Sequence, residues 1–523
     1  MTGIEEREIA RLELQSKLDG AKSQSERNRL GQFATPPKFA AEIVKAAAAH
    51  LPPDAPIRFL DPGFGTGSFF SALLNSIRTS RIDAAEGFEI DPHYGEDARK
   101  LWSGTGLRLH LADFTAATPP AEADRFNLVV CNPPYVRHHH LRRSQKRDLQ
   151  SAARDAGSEM NGLSGLYCYF MVLSQAWMAN EGVAAWLVPS EFMDVNYGVH
   201  VKRFLLEKVK LLRIHRFAPK DVQFDDAFVS SAVVFFQNTP APDFHEVEFT
   251  FGGTLATPEM GATVLTERLR LISKWTSLPQ RESHVVEPNG RGTLADLFQI
   301  KRGVATGCNE FFVLSPERIA EHGIPQAFLK PILPSPRNLE VTEIPADRLG
   351  NPKIRHQRFL LDCDLPENEL RETHPAVWNY LIDGVKAGVD QRYLCRHREP
   401  WYSQERRPPA PFLCTYMGRP TRKSDVPFRF ILNHSKATAA NVYLLLYPKP
   451  TLAAVLEGAP ELGKAVWNAL SSITAEMLIG EGRVYGGGLH KLEPKELANV
   501  AADMILDALP KECGHIRQKE LFV

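Results

Sequence analysis

The stretch that decides the fold is Phe126-Asn127-Leu128-Val129-Val130-Cys131-Asn132-Pro133-Pro134-Tyr135. Its first half is nearly continuously apolar and reads as a strand buried on both faces, as in a parallel sheet. That strand runs directly into Asn-Pro-Pro-Tyr. The two prolines fix φ, keep Asn132 and Pro133 extended and remove two backbone donors. The loop therefore presents acceptors: the Asn132 side-chain carbonyl and nearby main-chain carbonyls. Such a set suits the hydrogens of an exocyclic amine whose lone pair is delocalised into a ring. Holding both hydrogens favours a pyramidal nitrogen with its lone pair available, and the effect grows as positive charge develops there. Tyr135 adds a ring for a planar partner.

Working outward, short apolar strands alternate with helical stretches from about residue 33 to 238. The strands are IRFLDPG, AAEGFEI, LRLHLAD, FNLVVCN, VAAWLVP and VSSAVVFFQ, with SFFSALLNSI and GLYCYFMVLSQAWMANEG among the helical segments. This alternation predicts a mostly parallel sheet wrapped by helices. Three successive strand ends carry ligand chemistry. Asp61-Pro62-Gly63-Phe64-Gly65-Thr66-Gly67 is a glycine turn between strand and helix that lets backbone approach a ligand. The strand Gly87-Phe88-Glu89-Ile90-Asp91 ends in a carboxylate placed for ribose hydroxyls, and the next delivers Asp113-Phe114, an acceptor and a ring suited to adenine. Together they describe a nucleoside crevice, which by itself does not separate S-adenosylmethionine from NAD.

At 523 residues, two or three domains are expected. The 62 basic and 62 acidic side chains cancel, so a nucleic-acid partner would have to be drawn by local clusters rather than by total charge. The seven cysteines are scattered without a Cys-x-x-Cys pair, which argues against a zinc site or disulfide framework and fits a cytoplasmic protein with reduced thiols. Cys131 reads as a small core residue rather than a nucleophile. No apolar run approaches roughly 18 residues, so no membrane span is expected.

On these residues the chain resembles the amino-methylating DNA methyltransferases, specifically the gamma-class (TaqI-type) adenine-N6 enzymes of restriction-modification systems. Asp61 to Gly67 is similar to their Asp-Pro-x-x-Gly-[Ser/Thr]-Gly cofactor loop, with Gly63 and Phe64 as uncommon fillers. Residues 132 to 135 match their Asn-Pro-Pro-Tyr motif in full. Gly31-Gln32-Phe33-Ala34-Thr35-Pro36-Pro37 resembles their Gly-x-x-x-Thr-Pro segment, which lines the methionine end of the cofactor. VAAWLVPSEF (183–192) resembles the next strand and loop. Val222-Gln223-Phe224 through Val234 resembles the segment whose aromatic sandwiches a flipped base. The resemblance implies a Rossmann-like class I S-adenosylmethionine-dependent domain of α/β type, followed by a mixed α/β target-recognition domain. It implies Asn132, Pro133, Pro134 and Tyr135 as catalytic. Thr35, Pro36, Asp61, Gly63, Gly65, Glu89, Ile90, Asp113 and Phe114 become cofactor-binding, and Tyr135 with Phe224 the base-stacking pair. No metal is implied.

The C-terminal half is consistent with DNA recognition. Leu297 to Leu314 resembles the start of the trailing domain in TaqI-type enzymes, with Gly303, Thr306, Gly307, Asn309 and Phe312 in a Gly-x-x-Thr-Gly-x-Asn-x-x-Phe pattern that reads as a folding signature. From 391 to 436 there are ten Lys/Arg against three Asp/Glu, interleaved with aromatics, a stripe able to track phosphates and read guanine edges. Arg137-His138-His139-His140 and the basic residues to Arg147 read as a phosphate-contact loop, because adjacent histidines seldom converge on one ion. Residues 483–492 resemble a glycine turn common near the end of such enzymes.

The expected organisation is a charged, solvated or partner-facing N-terminal helix (1–30), a catalytic domain (31–240), a connector with a long amphipathic helix near 264–274 (241–290), and a DNA target-recognition domain (291–523). The resemblance points to methylation of adenine N6 in a short site of double-stranded DNA, by base flipping and direct transfer. The expected setting is protection of host DNA from a cognate restriction endonuclease, by a monomeric protein. Cytosine-N4 is the neighbouring alternative; an RNA base or a protein glutamine would satisfy the same loop. A bifunctional nuclease-methylase is not expected, as only about 30 residues precede Gly31.

Overall fold

The computed structural model describes residues 3–195, 197–218, 231–272, 274–279, 292–419, 426–475, 477–478, 483–485 and 489–509. They form two compact units, Met1–Val286 and Glu287–Val523.

The first unit is built on a nine-stranded sheet. Its strands are β1 (Ile57–Asp61), β2 (Ile82–Phe88), β3 (Leu107–His110), β4 (Phe126–Cys131), β5 (Met178–Pro189), β6 (Lys210–Arg216), β7 (Ser231–Gln237), β8 (Glu246–Gly253) and β9 (Pro258–Leu265), in spatial order 3-2-1-4-5-7-6-8-9. The pairings from β3 across to β5 are parallel. β7 then enters antiparallel between β5 and β6.

Alternation sorts the side chains of the sheet onto two cores. Leu60, Val129, Cys131, Ala184 and Trp186 belong to one core with helix α7 (Leu166–Ser174) and helix α8 (Gly198–Glu207). Phe59, Leu128, Val130, Val183 and Ala185 belong to the other, with helix α3 (Pro37–Ala48) and helix α4 (Ser68–Ser76). Leu128, Val129 and Val130 are fully buried, as a strand covered on both faces requires. Each such side chain contributes about 2 kcal/mol by leaving water.

The structure departs from the sequence expectations at the flanks. The N-terminal helix is two helices, α1 (Gly3–Gly20) and α2 (Gln24–Leu30), and α1 is not merely solvated: Arg11 and Leu18 are buried. The region expected as a connector instead supplies β8 and β9 to the sheet edge, and the amphipathic helix near 264–274 shortens to α9 (Thr266–Leu271). β6 carries Lys210, Arg213, His215 and Arg216, whose polarity hid a strand behind its two antiparallel and parallel neighbours. The segment read as one long helix from 165 ends at Ser174, and β5 already begins at Met178.

The second unit is mixed α/β. Phe298–Arg302, Tyr443–Pro448, Phe412–Thr415, Phe430–Asn433 and Glu343–Ile344 lie side by side in one five-stranded sheet. A four-stranded and a three-stranded sheet accompany it. The 303–312 pattern is structural: a Cβ on Gly303 would meet the Ala440 carbonyl oxygen at 2.3 Å, and Thr306 Oγ1 donates to Asn309 Oδ1 at 2.7 Å. Among the described residues no helix is long and apolar enough to cross a membrane.

Candidate active site

The site lies where the parallel strands end. Asp61 closes β1, Glu89 follows β2, Asp113 follows β3 and Asn132 follows β4. Adjacent parallel strands in register bring these ends together, with Asp61 beside Gly87 and Phe88 beside His110. They open into a cavity of about 1460 Å³ whose lining includes Thr35, Asp61, Gly63, Gly65, Glu89, Ile90, Asp113, Phe114, Asn132 and Pro134. Pro36, Pro133 and Tyr135 are not in that lining. Phe224 lies outside the described residues.

The glycine loop is held from several directions. Gly65 and Gly67 have φ of 55° and 90°, and a Cβ on Gly67 would stand 2.6 Å from Trp102 Nε1. The Gly65 N–H donates to Glu89 Oε2 at 2.8 Å, and the Asp91 N–H to Glu89 Oε1 at 2.8 Å. Burial raises the Glu89 carboxyl, against the pull of these two N–H groups. Asp61 is buried and takes the Gly63 N–H on Oδ1 at 3.1 Å, while its Oδ2 has no partner among the described residues. Burial lifts its carboxyl from 3.8 to about 8.

Asn132 is oriented through its amide. Nδ2 donates to the Phe33 carbonyl at 2.9 Å and to Thr35 Oγ1 at 3.1 Å, so Oδ1 faces the other way, buried and without a partner among the described residues. Thr35 is itself buried, and Pro36 caps α3 just beyond it. Tyr135 is fixed at three points. Its N–H donates to the Gly31 carbonyl at 3.2 Å, its hydroxyl to the Leu187 carbonyl at 3.1 Å, and its ring lies 5.7 Å from that of Phe33. Gly31 sits at φ 67° with no room for a Cβ, which would fall 2.2 Å from the Tyr135 nitrogen.

Asp113 caps the turn after β3 by accepting from the Thr115 N–H and hydroxyl, both at 2.8 Å. Phe114 is buried among Phe88, Phe170 and Trp177 while bordering the cavity. Ile90 is 66% exposed at the rim. Cys131 is a core residue whose thiol burial pushes up.

Sequence reasoning missed the contribution of α1. Arg11 is 1% exposed and donates to Ser68 Oγ at 3.0 Å and Thr66 Oγ1 at 3.3 Å, while Glu8 accepts from its other face at 2.7 Å. Thr66 Oγ1 donates to Gln15 at 2.6 Å, and Tyr94 donates to Asp19 at 2.8 Å. Lys22 and Gln32 both reach Asp91. Gln15 and Asp19 border the cavity. These contacts are polar, so no apolar periodicity announced them.

Asn132 Oδ1, an acceptor, and Asp61 Oδ2, a carboxyl oxygen, are buried with no partner among the described residues, and on residues that line one cavity they fit a ligand that brings donors or positive charge. The half-buried Glu89 and the exposed Ile90 fit a sugar and an apolar ring face. No group of three or more His, Cys, Asp or Glu is arranged to hold a metal ion among the described residues.

A parallel sheet carrying a glycine loop and strand-end carboxylates, with β7 inserted antiparallel between β5 and β6, defines a class I S-adenosyl-L-methionine-dependent methyltransferase. Comparison with known proteins narrows the class. The Eco57I restriction-modification methylase model matches residues 8–223, and the model of the C-terminal domain of Type II methyltransferase M.Eco57I matches residues 274–519. The chain is therefore a restriction-modification DNA methyltransferase, similar to the Eco57I type in both of its halves. It is 28% identical over 476 residues to Type II methyltransferase M.XamI of Xanthomonas campestris pv. amaranthicola, spanning 90% of this chain and 84% of that one. It is 23% identical over 497 residues to M.AccI of Acinetobacter calcoaceticus, spanning 90% and 85%. The solved type IIL restriction-modification enzyme MmeI shares the fold, with a TM-score of 0.50 at 12% identity over 99% of this chain and 76% of that one.

Proposed function

We propose that this DNA methyltransferase acts on adenine N6 within a short duplex site, on a base turned out of the helix. The observation that carries the reading is the orientation of Asn132. Anchored through Nδ2, it presents Oδ1 as a buried acceptor without a partner among the described residues. An amine hydrogen satisfies it, and satisfying it withdraws the nitrogen lone pair from the ring. S-Adenosylmethionine supplies an electrophilic methyl group on sulfonium sulfur. The chain's share is to hold the amine, align it for in-line attack and exclude water. With the cofactor bound, the methyl group would pass to the amine nitrogen and leave a neutral thioether, and the proton the amine sheds would go to solvent. No nucleophilic side chain is needed, in keeping with the buried Cys131.

In this reading Asp61, Gly63 and Gly65 hold the methionine end with Thr35 and Pro36, Glu89 takes the ribose hydroxyls, and Ile90, Asp113 and Phe114 receive the adenine. Pro133 and Pro134 keep the loop extended, Tyr135 offers the stacking ring, and Phe224 is assigned the opposite face. An extruded base is required because N6 inside a duplex is out of reach. The second unit is read as the target-recognition domain of a monomer that protects host DNA from a cognate endonuclease.

The test is incubation of purified protein with duplex DNA and methyl-labelled S-adenosylmethionine, followed by nucleoside analysis. Label in N6-methyladenine is expected. Label in N4-methylcytosine would replace the base assignment. Label in RNA alone, or in a protein glutamine, would overturn the reading.

A further inference from the structure

The second unit carries a turn at residues 392–397 that is rigid underneath and exposed on top. Underneath, Cys395 is fully buried and Arg398 is turned inward, where its guanidinium donates to the Thr306 carbonyl at 3.0 Å and the Ala305 carbonyl at 2.5 Å. The 303–312 loop presses against it so closely that a Cβ on Gly307 would lie 2.8 Å from Cys395 Sγ. On top, Tyr393 is 69% exposed and Leu394 38%. The Arg396 guanidinium stands 5.4 Å over the Tyr393 ring, and the His397 ring packs on it at 4.6 Å.

The arginines of this region divide into two kinds. Arg406 pairs with Asp364 and Arg407 with Glu405, and Arg398 is occupied by carbonyls. Arg392 and Arg396 have no carboxylate within ion-pair distance among the described residues, and both are exposed. A merely solvated basic face has no need to hold a large aromatic ring in water beside a stacked cation. An exposed ring with unneutralised arginines on a braced turn is a surface built for a polyanion with flat groups. A rigid base also lowers the entropy lost on engagement.

We propose that this turn contacts duplex DNA, with the Tyr393–Arg396 pair meeting bases and Arg392 a phosphate. The proposal rests on the reading of the chain as a methyltransferase of duplex DNA and names a surface for that substrate. A guanidinium aligned by a ring is suited to bidentate contact with a guanine edge, whereas an unstacked arginine is suited to a phosphate.

The experiment uses the full chain. The methylated site is mapped by sequencing DNA methylated by the wild type. Affinity for that duplex, and for a scrambled one, is then measured by fluorescence anisotropy at two salt concentrations. Arg396→Ala and Tyr393→Ala are each expected to weaken binding to the mapped site about tenfold and to reduce preference over the scrambled duplex. Arg392→Ala is expected to weaken both duplexes alike, with a salt dependence shallower by about one phosphate. Arg406→Ala serves as the nearby control, and cofactor affinity and melting temperature should be unchanged throughout. Affinities within twofold of wild type for all three variants, in a protein that methylates duplex DNA, would overturn the proposal alone. A wild type that neither binds nor methylates duplex DNA would overturn the underlying reading as well.

Discussion

Asn132 Nδ2 donates to Thr35 Oγ1 across 3.1 Å, joining two segments 97 positions apart into one hydrogen-bonded unit. The Gly-x-x-x-Thr-Pro segment thereby holds the Asn132 amide by its nitrogen and leaves Oδ1 as the end with no partner among the described residues, in addition to any contact it makes with the cofactor. Without these acceptors the amide could reverse and offer a donor to an amine that already has donors. Orientation at this residue is part of the chemistry.

Asn132→Ala should lower kcat by about a hundredfold or more, the usual consequence of removing a preorganised transition-state contact. Cofactor affinity should move by less than about threefold, because the Asp61–Gly67 loop is untouched. Thr35→Val removes one anchor and leaves the Phe33 carbonyl, so a loss of about tenfold in kcat is expected, restored by Thr35→Ser. Steady-state kinetics and calorimetric cofactor titration measure both. A fully active Thr35→Val enzyme would remove Thr35 from the orientation of the amide.

Gly31 and Gly65 make a contrasting pair. Both have positive φ, yet a Cβ on Gly65 meets none of the described residues within 4 Å while one on Gly31 meets the Tyr135 backbone. Gly65→Ala should cost about 1 kcal/mol of conformational strain and leave a folded enzyme. Gly31→Ala must displace the loop that carries Tyr135, so activity should be lost even where the protein still melts cooperatively. Thermal denaturation and turnover on duplex DNA separate the two. Equal effects would mean that strain, not the approach to Tyr135, governs Gly31.

The strands from β1 to β5 and the residues at their ends were legible because buried parallel strands advertise themselves as apolar runs, and prolines and glycines punctuate them. Asn132, Asp61, Glu89 and Asp113 stand where that punctuation put them. The edge strands were harder. β6 is interrupted by Arg213, His215 and Arg216, and β8 alternates Glu246, Val247 and Glu248, a half-exposed pattern that resembles a linker until its partners are known. The role of α1 was illegible for a different reason. Its docking depends on Arg11, Gln15 and Asp19, and a polar contact leaves no periodic trace in sequence. The 303–312 pattern was readable as structural but not as the brace of an exposed turn nearly ninety residues later, which only tertiary contacts reveal.

Arg11 supplies the next expectation. A guanidinium 1% exposed, hydrogen bonded to Thr66 and Ser68 and paired with Glu8, connects α1 to the cofactor loop. Arg11→Ala should lower stability by about 2 kcal/mol, below the range for fully buried pairs because Glu8 keeps some contact with water. The same change should weaken cofactor binding by releasing the loop, while kcat at saturating cofactor falls less. Chemical denaturation and cofactor titration test the two effects together. A destabilised protein with unaltered cofactor affinity would restrict α1 to a structural role.

Asp61 gives the clearest dependence on pH. Burial, with the neighbouring Glu89 adding to it, raises its carboxyl from 3.8 to about 8, although the Gly63 N–H pulls the other way. The folded protein thus retains a proton that the unfolded chain releases near 3.8. A raised folded value means that the stabilising contribution is complete below the unfolded value and is lost as pH rises through about 8. Cofactor-free protein should lose stability across that window, and Asp61→Asn should flatten this part of the profile. A cationic ligand beside Oδ2 reverses the balance by favouring the carboxylate. Binding of S-adenosylmethionine near neutral pH should therefore release close to one proton in the wild type and fewer in Asp61→Asn. Calorimetry in buffers of different ionisation enthalpy counts those protons. Equal proton release by the two proteins would show that Asp61 stays in one protonation state throughout, and its unpartnered oxygen would then need another explanation.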